Sequence, residues 1–590
     1  MDYKLRGDFS KDENCIIDIL KNRNVPNVEA FLYPNKQYEN DPYLLDNIDA
    51  AADLLLKHLR ADHTIAILVD ADCDGFTSAA ILWNYIKQIF PQADLHYLLH
   101  NGKQHGLEDQ IEMLENEQFC DLLVAPDAAS YDVEYFWRLN AIKIDVLALD
   151  HHTQQFLDDG TPIVNDCPSA IVVNNQLSAN YPNKDFCGAG ITYQFCKVLD
   201  DKLGIELAQN FIDLAAVGNI GDVMFQGNPE TRYIIVEGLH NIQNQGIRAL
   251  LEAQSYSLKE KATPPYTGLT PIDVAFYICP LINAVVRVGT QAEKEVLFTA
   301  LINPQKEFPS TKRGARPGDT ETAIEQAARI TKNIKARQDR AKEKALDIID
   351  FKIQKEGLDQ NNIIFIEITP EDNIPNELTG LIAQNVVSKY GKPCLLGRKN
   401  YQNEVQGSIR NDGNFKGLPS FKTFLEQSGL MTFTAGHLNA AGFGIKSAQV
   451  EDLIKYANEK LNAQDFINCY LVDYILSAKN SSTNIVLYTL ASHPDYYGNG
   501  VDEPRIIIKD IPLNDILVMG NNKDCMKISC NGIDYVRFKD IDFIQEVMGN
   551  RTQTLTVYGR ANLNHYMNKT SIQLFIDDYE LVEDMSRFDF

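Results

Sequence analysis

Three short segments carry the strongest structural signal in the sequence: Asp70-Ala71-Asp72-Cys73-Asp74-Gly75, Pro126-Asp127 and Asp150-His151-His152. Each segment directly follows an apolar run, and these runs are Ile65-Ala66-Ile67-Leu68-Val69, Leu122-Leu123-Val124-Ala125 and Val146-Leu147-Ala148-Leu149. Continuous apolarity is typical of strands that are covered on both faces, as in a parallel sheet. We therefore expect the acids and imidazoles to meet at the carboxyl edge of such a sheet, where α/β folds place their chemistry.

The first cluster begins like an EF-hand calcium loop, D-x-D-x-D-G, so this alternative has to be tested. An EF-hand loop needs a bidentate Glu at its twelfth position and a helix in front of it. Here the twelfth position is Ile81, and a β-rich apolar run precedes the loop. This excludes an EF-hand, whereas a solvated acidic turn stays open for the cluster taken alone. Because carboxylates crowded at one sheet edge repel each other, a bound cation explains all three clusters together.

Length and composition indicate a large globular protein. The chain has 590 residues, of which 44% are hydrophobic, so we expect about three or four domains. The N-terminus lacks the apolar core of a signal peptide, and no run of about 18 apolar residues occurs. We therefore expect a cytoplasmic protein that does not contact a membrane. The 11 cysteines include no C-x-x-C pair, which argues against a zinc knuckle and a disulfide framework.

The net charge of −26 excludes a protein that coats nucleic acid over its whole surface, so such binding has to be local. One segment, from Thr311 to Ala345, contains ten Lys and Arg against five acids. An ordinary solvated helix face remains an equal alternative for this segment. Asp319 or Thr320 can cap a helix that continues to about Glu356. A helix of about 35 residues spans roughly 50 Å, which is long enough to bridge two domains.

Two further regions follow this helix. Residues 361–450 predict a new α/β unit, with strands at 363–366 and 394–396 and a helix over 378–389. It contains Gly407-Ser408-Ile409-Arg410 and Thr434 to Gly444, where small residues surround one Arg and one His. This pattern indicates either a backbone that approaches a phosphate closely or a tight turn. After residue 468, short strands at 484–488, 505–508, 554–560 and 571–576 predict a five-stranded barrel of OB type. Such barrels can bind single strands, here on Tyr558, Arg560, His565 and Tyr566, and a packing role is an equal alternative for each tyrosine.

Taken in order, these motifs resemble the DHH phosphoesterases and, within them, the RecJ-type single-strand DNA exonucleases. The resemblance covers the three clusters, Gly218 to Val223, Asn283 to Arg287, the long helix, Gly407 to Arg410, Ala435 to His437 and Leu555 to Asp578. It implies an α/β fold: a parallel-sheet DHH domain, a long helix, a smaller α/β DHH-associated domain and a C-terminal OB-like domain. The expected boundaries are 1–45 for an N-terminal extension, then 46–315, 316–358, 359–465 and 466–590 for these four parts.

The resemblance also implies roles for individual residues. Two divalent cations, Mn²⁺ or Mg²⁺, are expected on a set of ligands that suits these ions better than zinc: Asp72, Asp74, Asp127, His151 and Asp222. His152 is expected to touch the scissile phosphate, with Asp70 and Asp150 as auxiliary groups. The phosphate pocket of the strand is expected to contain Arg287, Ser408, Arg410, Gly436, His437 and Asn439.

The implied activity is hydrolysis of single-stranded DNA from 5′ to 3′ in DNA repair or recombination, by an enzyme that acts as a monomer. A single-strand-binding protein or a helicase is a candidate partner. Two other interpretations remain open: a phosphodiesterase for short oligoribonucleotides or cyclic dinucleotides, and a non-catalytic single-strand-binding scaffold. The sequence departs from the family pattern at Ala128, Val286 and Ala435, and at His100 and His105, where relatives tend to have Arg and Tyr. We therefore expect the metal ligands to be intact and the contacts with the substrate to differ from those of relatives.

Overall fold

The computed structural model describes residues 1–7, 14–102, 104–157, 160–566 and 569–583. Its chain contacts divide it into two compact units. The first unit contains Arg23–Ala336 and His493–Glu503, and the second contains Met1–Asn22, Arg337–Ser492 and Pro504–Phe590. The finer division into five segments stays a prediction.

The helices and strands are numbered here in chain order. The strands are β1 (Asp2–Leu5), β2 (Ile65–Val69), β3 (Leu95–Leu99), β4 (Leu122–Pro126), β5 (Asp145–Asp150), β6 (Ala170–Asn174), β7 (Glu307–Pro309), β8 (Thr320–Thr322), β9 (Ile364–Ile368), β10 (Cys394–Lys399), β11 (Glu404–Arg410), β12 (Met431–His437), β13 (Ala440–Lys446), β14 (Cys469–Val472), β15 (Tyr474–Ser477), β16 (Ile506–Pro512), β17 (Ile516–Met519), β18 (Cys525–Cys530), β19 (Ile533–Arg537), β20 (Thr554–Tyr566) and β21 (Lys569–Val582). The α-helices are α1 (Cys15–Asn22), α2 (Val28–Leu32), α3 (Ile48–Arg60), α4 (Cys73–Ile89), α5 (Ile111–Glu117), α6 (Val133–Ala141), α7 (Gly188–Leu203), α8 (Ile212–Gly221), α9 (Pro229–His240), α10 (Gln245–Ala253), α11 (Ser255–Leu258), α12 (Pro271–Tyr277), α13 (Cys279–Val288), α14 (Gln291–Ile302), α15 (Ala323–Glu356), α16 (Thr379–Tyr390), α17 (Phe421–Gln427), α18 (Val450–Lys460), α19 (Ser482–Ala491) and α20 (Ile541–Gly549).

The first unit is built on a five-stranded sheet in the order β3-β2-β4-β5-β6. All neighbouring strands in it pair in parallel. Strands β2, β4 and β5 are the three predicted apolar runs, and their residues are buried between two hydrophobic clusters, one on each face. The expected α/β class with a parallel sheet is therefore confirmed. Because the strands are parallel, the three polar clusters that follow them lie at one edge.

The long helix α15 begins two or three residues later than the sequence predicts. Neither Asp319 nor Thr320 caps it, because Thr320–Thr322 pairs as β8 with β7 in a small antiparallel hairpin. The cap is Thr322, whose Oγ accepts a hydrogen bond from the backbone of Glu325 while the Glu325 carboxylate accepts one from Thr322 N–H. Such a reciprocal pair is a capping box, and it satisfies two orphan donors of the first turn.

The second unit contains two larger sheets. The first has the order β12-β13-β11-β10-β9, with β9 and β10 parallel and the other pairs antiparallel. It confirms the predicted strands near 363–366 and 394–396 and the helix α16. Of the two alternatives for the small-residue segments, the tight turn holds for part of the second segment, because Leu438 and Asn439 form the turn between β12 and β13. Gly407 to Arg410 lie in β11 and Ala435 to His437 in β12, so these residues are in strands.

The second sheet has the order β15-β16-β20-β21-β19-β18-β17, so it contains seven strands where the sequence predicted a five-stranded barrel. The predicted strand at 484–488 is wrong, because these residues lie in helix α19. Thr483, Val486, Leu487 and Leu490 are its buried residues. Their spacing of three, one and three residues places them on one helical face, and a five-residue window was too short to reveal it.

One stretch, Pro271–Val288, is apolar and long enough to cross a membrane by composition, with a mean hydropathy of 1.5. Half of it is buried inside the protein. It also contains Asp273 and Arg287 and is divided into the two helices α12 and α13. These features are those of core helices.

Candidate metal centre

Eight polar residues predicted from the sequence come together at the carboxyl edge of the five-stranded sheet. Asp70 and Asp72 lie between β2 and α4, and Asp74 is in the first turn of α4. Asp127 follows β4, Asp150 ends β5 and is followed by His151 and His152, and Asp222 caps α8. Within the described ranges, three overlapping sets have ligand atoms that all lie within 4.8 Å of one another. These sets are Asp127 with Asp150, His151 and His152; Asp74 with His151 and Asp222; and Asp70 with Asp72 and Asp127.

His151 lies at the centre of the cluster. Its Nε2 is 3.2 Å from Asp127 Oδ1, 3.4 Å from Asp222 Oδ2 and 3.9 Å from Asp74 Oδ2. Burial lowers the pKa of His151 below its usual range. The ring is therefore held in the neutral form, in which an imidazole nitrogen can bind a metal ion.

Asp127 is the least compensated acid of the cluster. Its Oδ1 is buried and, among the residues that the structure describes, accepts no hydrogen bond, although His151 Nε2 lies 3.2 Å away. Burial, together with the charges of Asp74 and Asp72, raises the pKa of Asp127 well above its usual value. The backbone at Asp127 has a φ of 70°, a left-handed conformation that is uncommon outside glycine and points to a functional constraint.

Two more carboxyl groups have raised pKa values for the same reason. Burial and the neighbouring Asp74 raise the pKa of Asp222 to about 8. Burial and Asp74 also raise the pKa of Asp72. Crowded carboxylates can ionise together only if a positive charge is placed among them. The cluster is therefore electrostatically incomplete without a cation.

Asp74 is positioned by the N-terminus of α7. Gly188 N–H donates to its Oδ2 at 2.6 Å and Ala189 N–H to its Oδ1 at 2.9 Å. A Cβ on Gly188 would come within 2.6 Å of Asp127 Cα, so only glycine allows α7 to begin this close to β4. The sequence analysis missed this contact, although Gly188-Ala189-Gly190 ahead of an apolar helical pattern was its available signal.

His152 lies at the rim, where its side chain is 49% exposed. Its Nδ1 is 2.7 Å from Asp150 Oδ1. This hydrogen bond raises the pKa of His152 to about 9, so the imidazolium form dominates at neutral pH. Asp150 also accepts from the backbone N–H of His151, His152 and Ser130. Burial opposes ionisation of Asp150, but the hydrogen bond from His152 lowers its pKa.

Asp70 is held by two histidines. His105 Nδ1 is 2.5 Å from its Oδ2, and His100 Nε2 is 3.6 Å from its Oδ1. Burial opposes protonation of His100, but the carboxylates of Asp109 and Asp70 raise its pKa to about 9. Conversely, burial opposes ionisation of Asp70, and the two histidines lower its pKa. His100 thus provides local positive charge to this acid, while the His105 ring lies against its other carboxylate oxygen.

Arg287 lies on α13, close enough to Asp72 for the two charges to interact, while burial lowers its pKa. One turn earlier, Asn283 Oδ1 accepts a hydrogen bond from the backbone N–H of Cys73 at 3.1 Å. Helix α13 is thereby tied to the loop that contains Asp72 and Asp74.

The remaining predicted residues belong to the second unit. Arg410 on β11 and His437 on β12 both pair with Ala440 of the central strand β13, so their side chains share one face of the sheet. Ser408, two residues before Arg410, is on the same face, and its Oγ is 3.0 Å from Thr379 Oγ at the start of α16. The Arg410 guanidinium lies against Gly380, where a Cβ would approach Nη2 to 2.5 Å.

Gly436 and Asn439 have different surroundings from these three residues. Gly436 has a φ of 124°, and its carbonyl accepts from Lys422 at 3.2 Å. The Asn439 amide donates to the Pro419 carbonyl, while its Oδ1 accepts from Asn411 and from the backbone of Phe421. These bonds occupy the Asn439 side chain in the turn between β12 and β13. Its contact with substrate stays a prediction.

The donor set fits divalent ions that prefer oxygen. It offers carboxylates from several strands, one neutral imidazole and a buried oxygen of Asp127 that accepts no hydrogen bond from the described residues. Carboxylates with a minority of imidazole are typical ligands of Mn²⁺ and Mg²⁺ rather than of structural zinc.

Comparisons with known proteins agree with this geometry. The model of the DHH family N-terminal domain matches residues 64–219, and the model of the RecJ OB domain matches residues 472–578. The Bacillus subtilis protein YorK, described as an SPbeta prophage-derived single-strand DNA-specific exonuclease, is 35% identical over 99% of this chain and 98% of its own length. The chain belongs to the RecJ-type DHH family.

Two further RecJ proteins extend the comparison. RecJ of Bacillus subtilis, described as a single-stranded-DNA-specific exonuclease, is 24% identical over 94% of this chain and 66% of its own length. The structure of Thermus thermophilus RecJ in complex with Mn²⁺ covers 91% of this chain and 72% of that one, with a TM-score of 0.67 and 21% identity. The RecJ-type fold is thus shared over nearly the whole chain.

The crowding of acids predicts an unusual effect of Asp127→Asn. In metal-free protein at pH 8, the substitution should increase the free energy of unfolding by about 1–3 kcal/mol, because it removes a buried charge that its neighbours repel. Because the pKa of Asp127 is higher in the folded than in the unfolded protein, the wild-type protein becomes less stable as the pH rises above the unfolded-state pKa of this residue. The gain from Asp127→Asn should therefore shrink towards zero near pH 4.

Urea unfolding in EDTA at several pH values measures this gain. The exposed Glu117→Gln, an equivalent amide substitution in the same unit, should change the free energy of unfolding by less than about 0.5 kcal/mol. A metal-free Asp127→Asn protein that is less stable than the wild type at pH 8 would contradict the electrostatic account.

Proposed function

We propose that this chain is a divalent-metal-dependent exonuclease that hydrolyses the phosphodiester bonds of single-stranded DNA from 5′ to 3′. The observation that carries the proposal is the buried Asp127 Oδ1, which accepts no hydrogen bond from the described residues and lies amid the Asp72, Asp74, Asp222 and His151 side chains. Membership of the RecJ-type family supports the substrate class. The five residues just named are the proposed ligands of two ions, Mn²⁺ or Mg²⁺.

Such ions, when bound, would activate a water molecule and stabilise charge on the phosphoryl oxygens. The chain's own groups have separate tasks. His152 is an imidazolium at neutral pH, and its orientation is fixed by Asp150, so it is suited to donating a hydrogen bond to a phosphate oxygen. Asp70 is an auxiliary group, because its carboxylate oxygens already face His100, which is positively charged, and His105. Arg287 adds a further cation close to Asp72.

We assign the terminal phosphate of the strand to Ser408, Arg410 and His437. A guanidinium, a hydroxyl and the first backbone N–H groups of a helix are the donors that phosphate groups prefer. Arg410 and Ser408 bring the first two to the start of α16. Gly436 belongs to the same strand as His437 and completes the proposed pocket without a side chain of its own.

The hairpin of β7 and β8 is a proposed contact for the body of the strand. Its tip, residues 311–320, is exposed throughout and contains Lys312, Arg313 and Arg316. Beneath the tip, the buried Glu321 carboxylate accepts from Arg329 at 2.7 Å and from the backbone of Thr311 at 3.0 Å. Lys312 Nζ also lies 3.3 Å from Glu321 Oε1. The loop therefore has a fixed base, while Arg313 and Arg316 can meet phosphates. On an acidic protein, such a patch is where a polyanion would bind.

The decisive experiment compares end-labelled substrates with purified protein and Mn²⁺. We expect progressive shortening of single-stranded DNA from its 5′ end, and no cleavage in excess EDTA. Preferential hydrolysis of short oligoribonucleotides or cyclic dinucleotides would assign the chain to another branch of the superfamily. Strand binding without any cleavage, at a site shown to bind Mn²⁺, would indicate a scaffold.

Arg410→Ala tests the pocket for the 5′ phosphate. The substitution should cost about 2–3 kcal/mol in binding a 5′-phosphorylated strand, because charge-assisted hydrogen bonds are removed. A 5′-hydroxyl strand lacks these bonds, so the difference between the two strands should narrow. The measurement is kcat/KM for both strands, with Lys399→Ala, which removes an exposed cation from the same sheet, as the control. An equal drop for both strands would place Arg410 at the scissile phosphate instead.

Charge reversal tests the hairpin. The double variant Arg313→Glu/Arg316→Glu should weaken binding of long single strands and reduce the slope of log K against log salt by about 0.7 for each phosphate that the hairpin no longer neutralises. Lys36→Glu/Lys143→Glu makes the same change in net charge at exposed sites of the first unit. Equal weakening by both double variants would mean that only net charge matters.

The cellular setting follows from the substrate. We place the protein in the cytoplasm, where it would act as a monomer on DNA in repair or recombination. A single-strand-binding protein or a helicase would supply the strand. Co-purification of the chain with these two partners, with and without nuclease treatment, separates direct contact from tethering through DNA.

A further inference from the structure

The turn that follows α8 is conformationally strained. Asp222 ends this helix, and the next residue, Val223, has a φ of 60°. A β-branched residue in this left-handed region is a true outlier, which persists only if its surroundings hold it. Val223 is itself 59% exposed, so packing of its own side chain does not hold it. Because Asp222 and Val223 are adjacent, relaxation of this turn would turn the Asp222 carboxylate away from His151.

An eleven-residue segment from far along the chain contacts this turn. The segment is His493–Glu503, called the strap here, and it belongs to the first unit although its flanking residues, Ser492 and Pro504, belong to the second. The Asn499 amide donates a hydrogen bond to the Val223 carbonyl, and the Asn499 carbonyl accepts one from Gln226 N–H at 3.1 Å. One residue therefore binds the turn on both sides of Met224.

The neighbours of Asn499 fit the same loop closely. Gly500 has a φ of 73°, and a Cβ there would overlap the Phe225 ring. Gly498 and Val501 close a short bridge through two backbone hydrogen bonds of 3.0 and 3.2 Å. Gly500 in particular favours glycine, because its positive φ and the Phe225 ring both disfavour a side chain there.

The strap is firmly anchored at both ends. Arg232 is fully buried, donates to the Asp495 carbonyl at 2.8 Å and lies 4.4 Å from the ring centroid of Phe31 and 5.7 Å from that of Tyr496. At the other end, Arg23 donates to the Asp502 carbonyl at 2.9 Å. Asn499 is thus presented to the turn from a fixed backbone.

We propose that Asn499 is a positioning residue for Asp222: the strap holds the strained turn at Val223 and thereby directs the Asp222 carboxylate into the metal centre. The inference rests on the proposed function, because Asp222 is assigned there as a metal ligand. Groups that orient a ligand without touching the metal typically change metal affinity by 10-fold to 100-fold when they are replaced. The strap therefore makes Mn²⁺ affinity depend on a segment more than 270 residues downstream of Asp222.

The test measures Mn²⁺ binding by the full chain, using isothermal titration and the Mn²⁺-induced rise in Tm. Asn499→Ala should weaken Mn²⁺ binding about 10-fold. Asn499→Asp should do the same, since it keeps the size of the side chain but removes the amide donor. Asn484→Ala is the matched control, because the Asn484 amide also donates to a loop carbonyl, that of Asn531 at 2.8 Å. This control should bind Mn²⁺ like the wild type.

A second substitution separates a specific effect on the orientation of Asp222 from a general destabilisation of the protein. Glycine adopts a positive φ without strain, so Val223→Gly in the Asn499→Ala background should recover most of the missing Mn²⁺ affinity. Wild-type Mn²⁺ affinity in both Asn499→Asp and Asn499→Ala, or no recovery on adding Val223→Gly, would overturn the inference. If Asn499→Ala fails to fold, Asn499→Asp with and without Val223→Gly gives the same decision.

The variant Asp222→Asn distinguishes a wrong assignment of Asp222 as a metal ligand from a wrong role for the strap. It should weaken Mn²⁺ binding whatever the role of the strap. If Asp222→Asn binds Mn²⁺ as tightly as the wild type, the ligand assignment under the proposed function is wrong, and the inference falls with it. If Asp222→Asn loses affinity while the Asn499 variants keep it, the ligand assignment stands and only the strap's role is rejected.

Discussion

Mutual repulsion among buried carboxylates at one sheet edge is the constraint on which the rest of the first unit depends. The structure resolves this repulsion unevenly. Asp150 and Asp74 receive backbone N–H groups, and Asp70 receives two imidazoles. Asp72, Asp127 and Asp222 keep raised pKa values. Asp70 and Asp150 are thus compensated by protein groups, whereas Asp72, Asp127 and Asp222, together with the neighbouring Asp74, need a cation. This division outlines where the ions belong.

The same arrangement has a cost in backbone conformation. Asp127, Ala129 and Val223 have φ values of 70°, 77° and 60°, and each lies in a turn next to the metal centre. Strained residues of this kind persist where surrounding contacts hold them in place. Here the contacts come from elements remote in sequence, such as α7 beside Asp127 and the strap beside Val223. Contacts made by distant parts of the chain therefore stabilise the strained backbone of the site.

The sequence predicted those parts of the fold that have local signals. The strands before Asp70, Asp127 and Asp150 are continuous apolar runs, and their position in a parallel sheet brings the acids together without further information. Failures occurred where tertiary contacts override a local pattern. The residues 484–488 are β-prone but lie in α19, and Thr320 pairs with β7 instead of capping α15. The Gly188 contact with Asp74 and the Asn499 contact with Val223 join residues more than 100 positions apart. No periodicity encodes such pairs.

The exposed cations of the β7-β8 hairpin have a consequence when they are set against the net charge of −26. An anionic body repels phosphate chains from every direction except those that face a cationic spot, so it acts as an electrostatic filter. Duplex DNA has one charge per about 1.7 Å of axis and cannot bend sharply to present only a short stretch. A flexible single strand can do so, and its selection over the duplex would then arise as much from repulsion by the acidic surface as from attraction by the hairpin.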